Sequence, residues 1–277
     1  MPLAESQVLL MLLEIRDLTI DFVSADRSTR AVDGCSLQLE AGQTVGIVGE
    51  SGSGKTTLGL AITRLLPQPP AVIRNGSVRF GDRDLLQLAE PELRRVRGRD
   101  ITYVFQEPST ALNPVMTIGR QLIEVLELHS NLHGEPARAR TVELLTTVGI
   151  PSPAERLSSF PHELSGGMKQ RVMIAMAVAA KPKLLIADEP TTALDVTLER
   201  QIVLLLKRLQ AELGLSLLMI SHNIHLVRRM ADTMVVMWQG RIVESGPTER
   251  ILKSPAHPYT RQLLDAQPRI PALESAP

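Results

Sequence analysis

Residues Gly49-Glu50-Ser51-Gly52-Ser53-Gly54-Lys55-Thr56 follow the spacing G-x-x-x-x-G-K-[ST], and the flanking sequence supplies the setting that this pattern needs. Residues 44–48 are an apolar run that reads as a strand, and residues 55–66 read as a helix halted before Pro67-Gln68-Pro69-Pro70. A strand running into a glycine loop and then a helix directs the chain toward an α/β fold. The loop also has a chemistry. Gly49, Gly52 and Gly54 let the backbone curl so that several N–H groups converge on phosphate oxygens, and the helix N-terminus adds a positive dipole end. Lys55 can reach the β- and γ-phosphates of a nucleoside triphosphate, and the Thr56 hydroxyl can ligate magnesium. Glu50, Ser51, Ser53 and Thr57 complete the expected nucleotide-binding stretch.

Further strands are expected at 12–22, 36–40 and 101–105, and at 77–80 after a turn at Asn75-Gly76. Between 107 and 160 the apolar spacing becomes helical, with Ile118, Leu122, Val125 and Leu126, then Val142, Leu145 and Val148. This predicts a helical subdomain inserted into the α/β core. The core resumes at 183–187, a continuous apolar run suited to a buried parallel strand. An amphipathic helix from Leu198 to Leu213 with Gly214 at its C-terminus follows, then a strand at 215–220 and a hairpin turning at Gln239-Gly240. Beyond Pro255 a Pro-rich short tail is expected. The expected divisions are 1–106, 107–165, 166–254 and 255–277.

The strand Leu184-Leu185-Ile186-Ala187 delivers Asp188 and Glu189 at its C-terminal end, where open α/β sheets hold their ligands. Asp188 suits a magnesium shell, and Glu189 suits deprotonating an attacking water. His222 follows the next buried strand and can hydrogen-bond the γ-phosphate and that water. Gln106, directly after the 101–105 strand, can present its amide to metal and water. Phe22 is a candidate for stacking on adenine, with Thr29 and Arg30 nearby. A second glycine motif, Leu164-Ser165-Gly166-Gly167-Met168-Lys169-Gln170-Arg171, opens a small-residue helix expected to run through Ala180. Its N-terminus is a second anion site. If both sites cannot reach one nucleotide within a single chain, a head-to-tail dimer lets each chain complete the other's site.

Charge narrows the partners further. Lys+Arg and Asp+Glu balance at 30 each, so no basic field favours nucleic acid. Cys35 is the single cysteine, which excludes an internal disulfide framework or a multi-cysteine cluster within this sequence. The apolar run 8–13 is six residues long, far short of the roughly 20 that cross a bilayer. It reads as a core strand, so a role at a membrane requires another anchor.

Together these residues resemble the ATP-binding subunit of an ABC transporter over residues 15–250. The Walker A loop 49–56, Q-loop Gln106, signature 164–171, Walker B Asp188 and Glu189, D-loop Ala193-Leu194-Asp195 and switch His222 occur in the family's order. The resemblance implies a RecA-like P-loop NTPase core with an antiparallel β subdomain and an inserted helical subdomain, and two cassettes that sandwich two ATP molecules with Mg2+. Ser165, Gly166, Gly167, Gln170 and Asp195 would then contact the nucleotide held by Lys55 of the partner cassette. It further implies two transmembrane permease subunits driven through contacts near the Q-loop, a separate solute-binding protein, and a peripheral location on the cytoplasmic face of the inner membrane. Pro161-His162-Glu163, Gln106-Glu107-Pro108 and His257-Pro258-Tyr259-Thr260 are similar to the peptide/nickel importer branch, which implies a paralogue as the second cassette and a peptide, nickel or metal chelate as cargo. Many members of that branch carry a cysteine-rich C-terminal segment with an iron–sulfur cluster. This sequence lacks those cysteines, so no cluster is expected. The alternative is a soluble ABC-type ATPase of repair, translation or assembly, which is disfavoured because the coiled-coil or zinc insertion and the second cassette of those classes are missing here.

Overall fold

A computed structural model describes residues 11–192 and 194–266. The expectations for Val8, Leu9 and Leu10, for Ala193 and for the tail after 266 lie outside the described residues.

The first layer is antiparallel. β1 (Met11–Val23) lies between β2 (Ser28–Glu40) and β4 (Ala71–Phe80), and β5 (Arg83–Asp84) completes the order β2-β1-β4-β5. Apolar residues face each other across the ladder, with Leu13 opposite Leu39, Ile15 opposite Leu37 and Ile20 opposite Val32. The sequence alone placed β2 at 36–40, too short by eight residues at its start. Its first half carries Arg30 and Asp33, which read as loop residues. Arg30 instead bridges to Asp21 on β1 at 3.0 Å, and Arg74 on β4 reaches the other Asp21 oxygen at the same distance. The expected turn at Asn75-Gly76 is also corrected. Gly76 sits inside β4 with φ +107°, where a Cβ would strike the backbone of Arg16 and Leu18, so it makes a bulge and not a turn.

The second layer is a six-stranded sheet, β10-β9-β3-β8-β7-β6, parallel from β9 to β6 with β10 antiparallel at the edge. It comprises β3 (Thr44–Val48), β6 (Ile101–Val104), β7 (Leu184–Asp188), β8 (Ser216–Ser221), β9 (Thr233–Trp238) and β10 (Arg241–Pro247). Strand periodicity divides the core between its two faces. Ile47, Ile186, Leu218 and Ile220 pack toward the antiparallel layer and α1 (Lys55–Ile62), whereas Val48, Leu185, Leu217 and Met219 pack toward the helices of the other face. α1 is four residues shorter than expected, because Arg64 takes φ +53° after the Thr63 cap.

After α2 (Glu90–Val96) and β6, the helices α3 (Pro108–Ala111), α4 (Ile118–Ser130), α5 (Gly134–Thr147) and α6 (Pro153–Arg156) form the helical insertion. Leu122, Leu126, Leu144 and Leu145 join it to α7 (Gly166–Val178) in one apolar cluster. α8 (Val196–Leu213) is capped by the Asp195 carboxylate on the Leu198 N–H and ends at Gly214, φ +63°. α9 (Ile224–Met230), α10 (Thr248–Lys253) and α11 (Pro258–Asp265) complete the described chain. α11 is the largest departure from expectation, since the segment after Pro255 read as a tail.

Candidate nucleotide site

β3, β7 and β8 end on the same side of the sheet, and their C-terminal loops surround a cleft of ≈ 640 Å³. Its lining includes residues 49–52 and 54–57 of the glycine loop with Gln106, Glu189 and His222. Four separated stretches of sequence, predicted to act on one ligand, are thus brought together. Gly54 initiates α1 at φ +100°, and a Cβ there would meet the Ala31 carbonyl, so only glycine lets this turn aim its N–H groups into the cleft.

Lys55 is 6% exposed. Its Nζ donates to the carbonyls of Gly49 at 2.8 Å and Glu50 at 2.7 Å, and reaches the Ser53 hydroxyl at 3.4 Å. Burial pushes this ammonium below the ordinary lysine value, while Glu189, Asp188 and Glu50 pull it back. Ser53 is buried behind the loop and supports Lys55 from below.

Asp188 is 2% exposed. Thr56 donates to its Oδ1 at 3.2 Å and Tyr103 to its Oδ2 at 2.7 Å. Burial raises this carboxyl above the usual carboxylate range, the neighbouring charge of Glu189 adds to that, and the two hydroxyl donors with Lys55 oppose it. The Thr56 hydroxyl and the Asp188 carboxylate are hard oxygen donors side by side, the pair that magnesium takes from a protein when phosphates and water supply the rest. No cluster of three His, Cys, Asp or Glu residues fit to hold a metal exists among the described residues.

Glu189 adopts φ +49°, a strained conformation for a non-glycine residue that costs on the order of 1–3 kcal/mol and is held by its surroundings. Its N–H donates to the Ile220 carbonyl at 2.8 Å. One carboxylate oxygen accepts the Thr192 hydroxyl at 2.7 Å, and the other accepts the His222 backbone N–H at 3.1 Å, with His222 Nδ1 at 2.8 Å. A carboxylate at the cleft wall, aimed by an imidazole and a hydroxyl, can take a proton from a water held against a phosphate.

Other predicted residues lie elsewhere. Phe22 packs half-buried against the inner core on β1 and is absent from the cleft wall, which Ala31 occupies on that side. Ser165 caps α7, accepting the Met168 N–H at 3.3 Å, and is exposed with Gly166 away from the cleft. Gly167 is buried under Leu198, and Gln170 is 2% exposed inside α7, so neither faces the nucleotide of its own chain. Asp195 serves as the α8 cap described above. α7 itself ends at Val178, two residues short of expectation.

Sequence reasoning missed Tyr103, Thr192 and Tyr259. Tyr103 has a polar tip on a strand that pairs with β7, opposite Ile186, a neighbour set by sheet order. Thr192 carried no signal beyond its place three residues after Glu189. Tyr259 lies in the quoted His257-Pro258-Tyr259-Thr260 run, but its partner is 209 residues away.

The ABC transporter family matches residues 32–192. The chain belongs to that family. A second match, to the oligopeptide/dipeptide transporter C-terminal region, covers residues 243–276. This cassette is 52% identical over 258 residues to the peptidoglycan transport ATP-binding protein YejF of Agrobacterium fabrum, covering 93% of this chain and 47% of that protein. It is 49% identical over 259 residues to the oligopeptide transport ATP-binding protein OppD of Bacillus subtilis, covering 94% and 72% respectively. The chain therefore spans about half the length of one relative and under three quarters of the other. Among solved structures, the dimeric post-hydrolysis state of the ATP-binding cassette MJ0796 bound to ADP and Pi superposes with a TM-score of 0.76 at 28% identity, covering 86% of this chain and 99% of that one. Membership of this family implies ATP binding, and the glycine loop 49–57 lines the cleft.

Proposed function

We propose that this chain is the ATP-hydrolysing subunit of a membrane importer for a small solute, a peptide in the first place, with nickel or a metal chelate as the other cargo of the branch. The observation that carries this reading is the pairing of an ABC cassette with the oligopeptide/dipeptide transporter C-terminal region in one chain. Glu189 is the general base, Gln106 and His222 place the attacking water and the γ-phosphate, and Lys55 with the loop N–H groups takes the charge that develops on the phosphoryl oxygens. Thr56 and Asp188 would hold Mg2+, which when bound neutralises phosphate charge. No helix of the described residues is long and apolar enough to cross a membrane. The reading adds separate permease subunits and a peripheral position for the chain on the cytoplasmic face. Beside the Q-loop an apolar groove of ≈ 230 Å³, lined by Leu65, Phe105, Leu112, Val125 and Met173, leaves Leu65 and Phe105 39% and 41% exposed. That groove fits an apolar helix offered by a permease. Affinity capture of the chain from membranes is expected to bring two polytopic proteins and a second cassette with it. Recovery without any membrane protein would favour the soluble ABC-type alternative.

The exposed N-terminus of α7 supports a composite site. A Cβ at Gly166 would meet nothing within 4 Å, and the residue has no positive φ, so nothing in this chain demands glycine there. A surface facing another cassette's nucleotide does demand it. Gly166→Arg should leave ATP affinity of the isolated chain within about twofold, yet reduce hydrolysis by the captured complex about 10²-fold through misplacement of the closed pair. Titration of the isolated chain and phosphate release from the complex read the two effects separately.

A further inference from the structure

We propose that Tyr259 is a positioning residue for ATP binding, one that ties the C-terminal segment to the phosphate loop; this rests on the ATP-binding reading above. Its hydroxyl oxygen accepts the N–H of Glu50 at 3.0 Å, and Glu50 is the second residue of the glycine loop. The carbonyl of the same residue accepts Lys55 Nζ at 2.7 Å. Glu50 is therefore held from two sides, its carbonyl from inside the loop by Lys55 and by the Ser53 N–H at 3.2 Å, and its N–H from the far end of the chain. When Lys55 turns to a phosphate it must leave the Glu50 carbonyl, and the Tyr259 bond then remains, beside the Ser53 N–H within the loop, to keep Glu50 in place.

The tyrosine is itself firmly seated. It is 6% exposed, and its ring stacks on Trp238 at 5.3 Å between centroids with the planes 23° apart. His257 caps α11 by accepting the Tyr259 N–H at 3.2 Å. The buried Glu244 carboxylate on β10 accepts the N–H groups of Ala256 at 2.9 Å and His257 at 3.1 Å. Burial works against that charge, but the two N–H donors and the nearby Thr260 hydroxyl outweigh it and hold Glu244 below the usual carboxylate range. Leu263 and Ala266, four and seven residues after Tyr259, lie on the same helical face and line the nucleotide cleft. One face of α11 thus reaches both the loop backbone and the cleft wall. Binding coupled through this face is reciprocal, so ATP must also bias the docking of α11.

The test is Tyr259→Phe in the full chain, which removes the hydroxyl and keeps the ring. Titration with a fluorescent ATP analogue and magnesium should give a Kd raised about three- to tenfold, the worth of one hydrogen bond. Amide exchange at Glu50 should quicken. The melting temperature and the emission of Trp238, the single tryptophan of the chain, should stay at wild-type values. In the captured complex KM for ATP should rise by the same factor with kcat within about twofold. An unchanged Kd overturns the proposal, as does a weakened Kd accompanied by a shifted Trp238 emission, which would signify loss of packing. Failure of the wild-type chain to bind the analogue overturns the ATP-binding reading instead.

Discussion

Glu189→Gln is expected to abolish steady-state hydrolysis while the chain still binds ATP. The substitution keeps the volume and shape of the side chain in a site that is 9% exposed. The glutamine oxygen can still accept the His222 N–H, and the Thr192 hydroxyl, now at 2.7 Å from Glu189, can rotate to accept from the new amide. The strained backbone at φ +49° is unaltered. What disappears is the basic lone pair that takes the proton of the attacking water, and loss of such a general base lowers rates by about 10²–10⁴. Phosphate release measured beside nucleotide titration separates the two properties. Near-normal turnover in the variant would sink the base assignment, and lost affinity would make Glu189 a structural support of the loop.

Why Glu189 was legible in the sequence while its partner Thr192 was not follows from the physics of each position. An apolar strand that ends in two acids announces itself locally, because burial of 184–187 forces the chain to deliver Asp188 and Glu189 at the strand's C-terminal end. The glycine loop and His222 are legible for the same reason, each being read from its own strand. Tyr103 and Tyr259 are different. Their roles depend on which strand lies beside which and on where a distant helix lands, information held in sheet order and not in local pattern. The same limit explains β2, whose charged first half looks like a loop until Asp21 and Arg74 stand across from it. Phe22 differs in the opposite sense. Its aromatic character suggested a base to stack on, whereas its position on β1 gives it core neighbours. Ser165 and Gly166 form an exposed helix end outside the cleft lining, as a glycine pair at the start of a small-residue helix suggests.

Lys55→Ala is expected to reduce ATP affinity by about 10²-fold or more. Removing one member of a buried, hydrogen-bonded charge pair costs about 2–5 kcal/mol, and each 1.4 kcal/mol is about tenfold in affinity. Two independent features place Lys55 in that range. It is 6% exposed, so its charge is poorly compensated by water, and it donates to two loop carbonyls that no other side chain satisfies at such short range. The alanine variant also loses those bonds, so a disordered loop could mimic a lost phosphate contact. Lys55→Met separates these causes by filling the space without the charge, and it should bind as weakly as the alanine variant. Stabilisation by ligand gives a second reading, since saturating ATP raises the melting temperature only of a chain that binds it. The direction of the lysine shift adds a pH dependence. Burial lowers its proton affinity in the free chain and a bound phosphate raises it again, so binding takes up a proton at alkaline pH. Affinity should therefore decline as pH rises toward the lowered lysine value, and this decline should be missing from Lys55→Met. A methionine variant with the wild-type profile would assign the alkaline loss to another group and leave Lys55 as a loop brace alone.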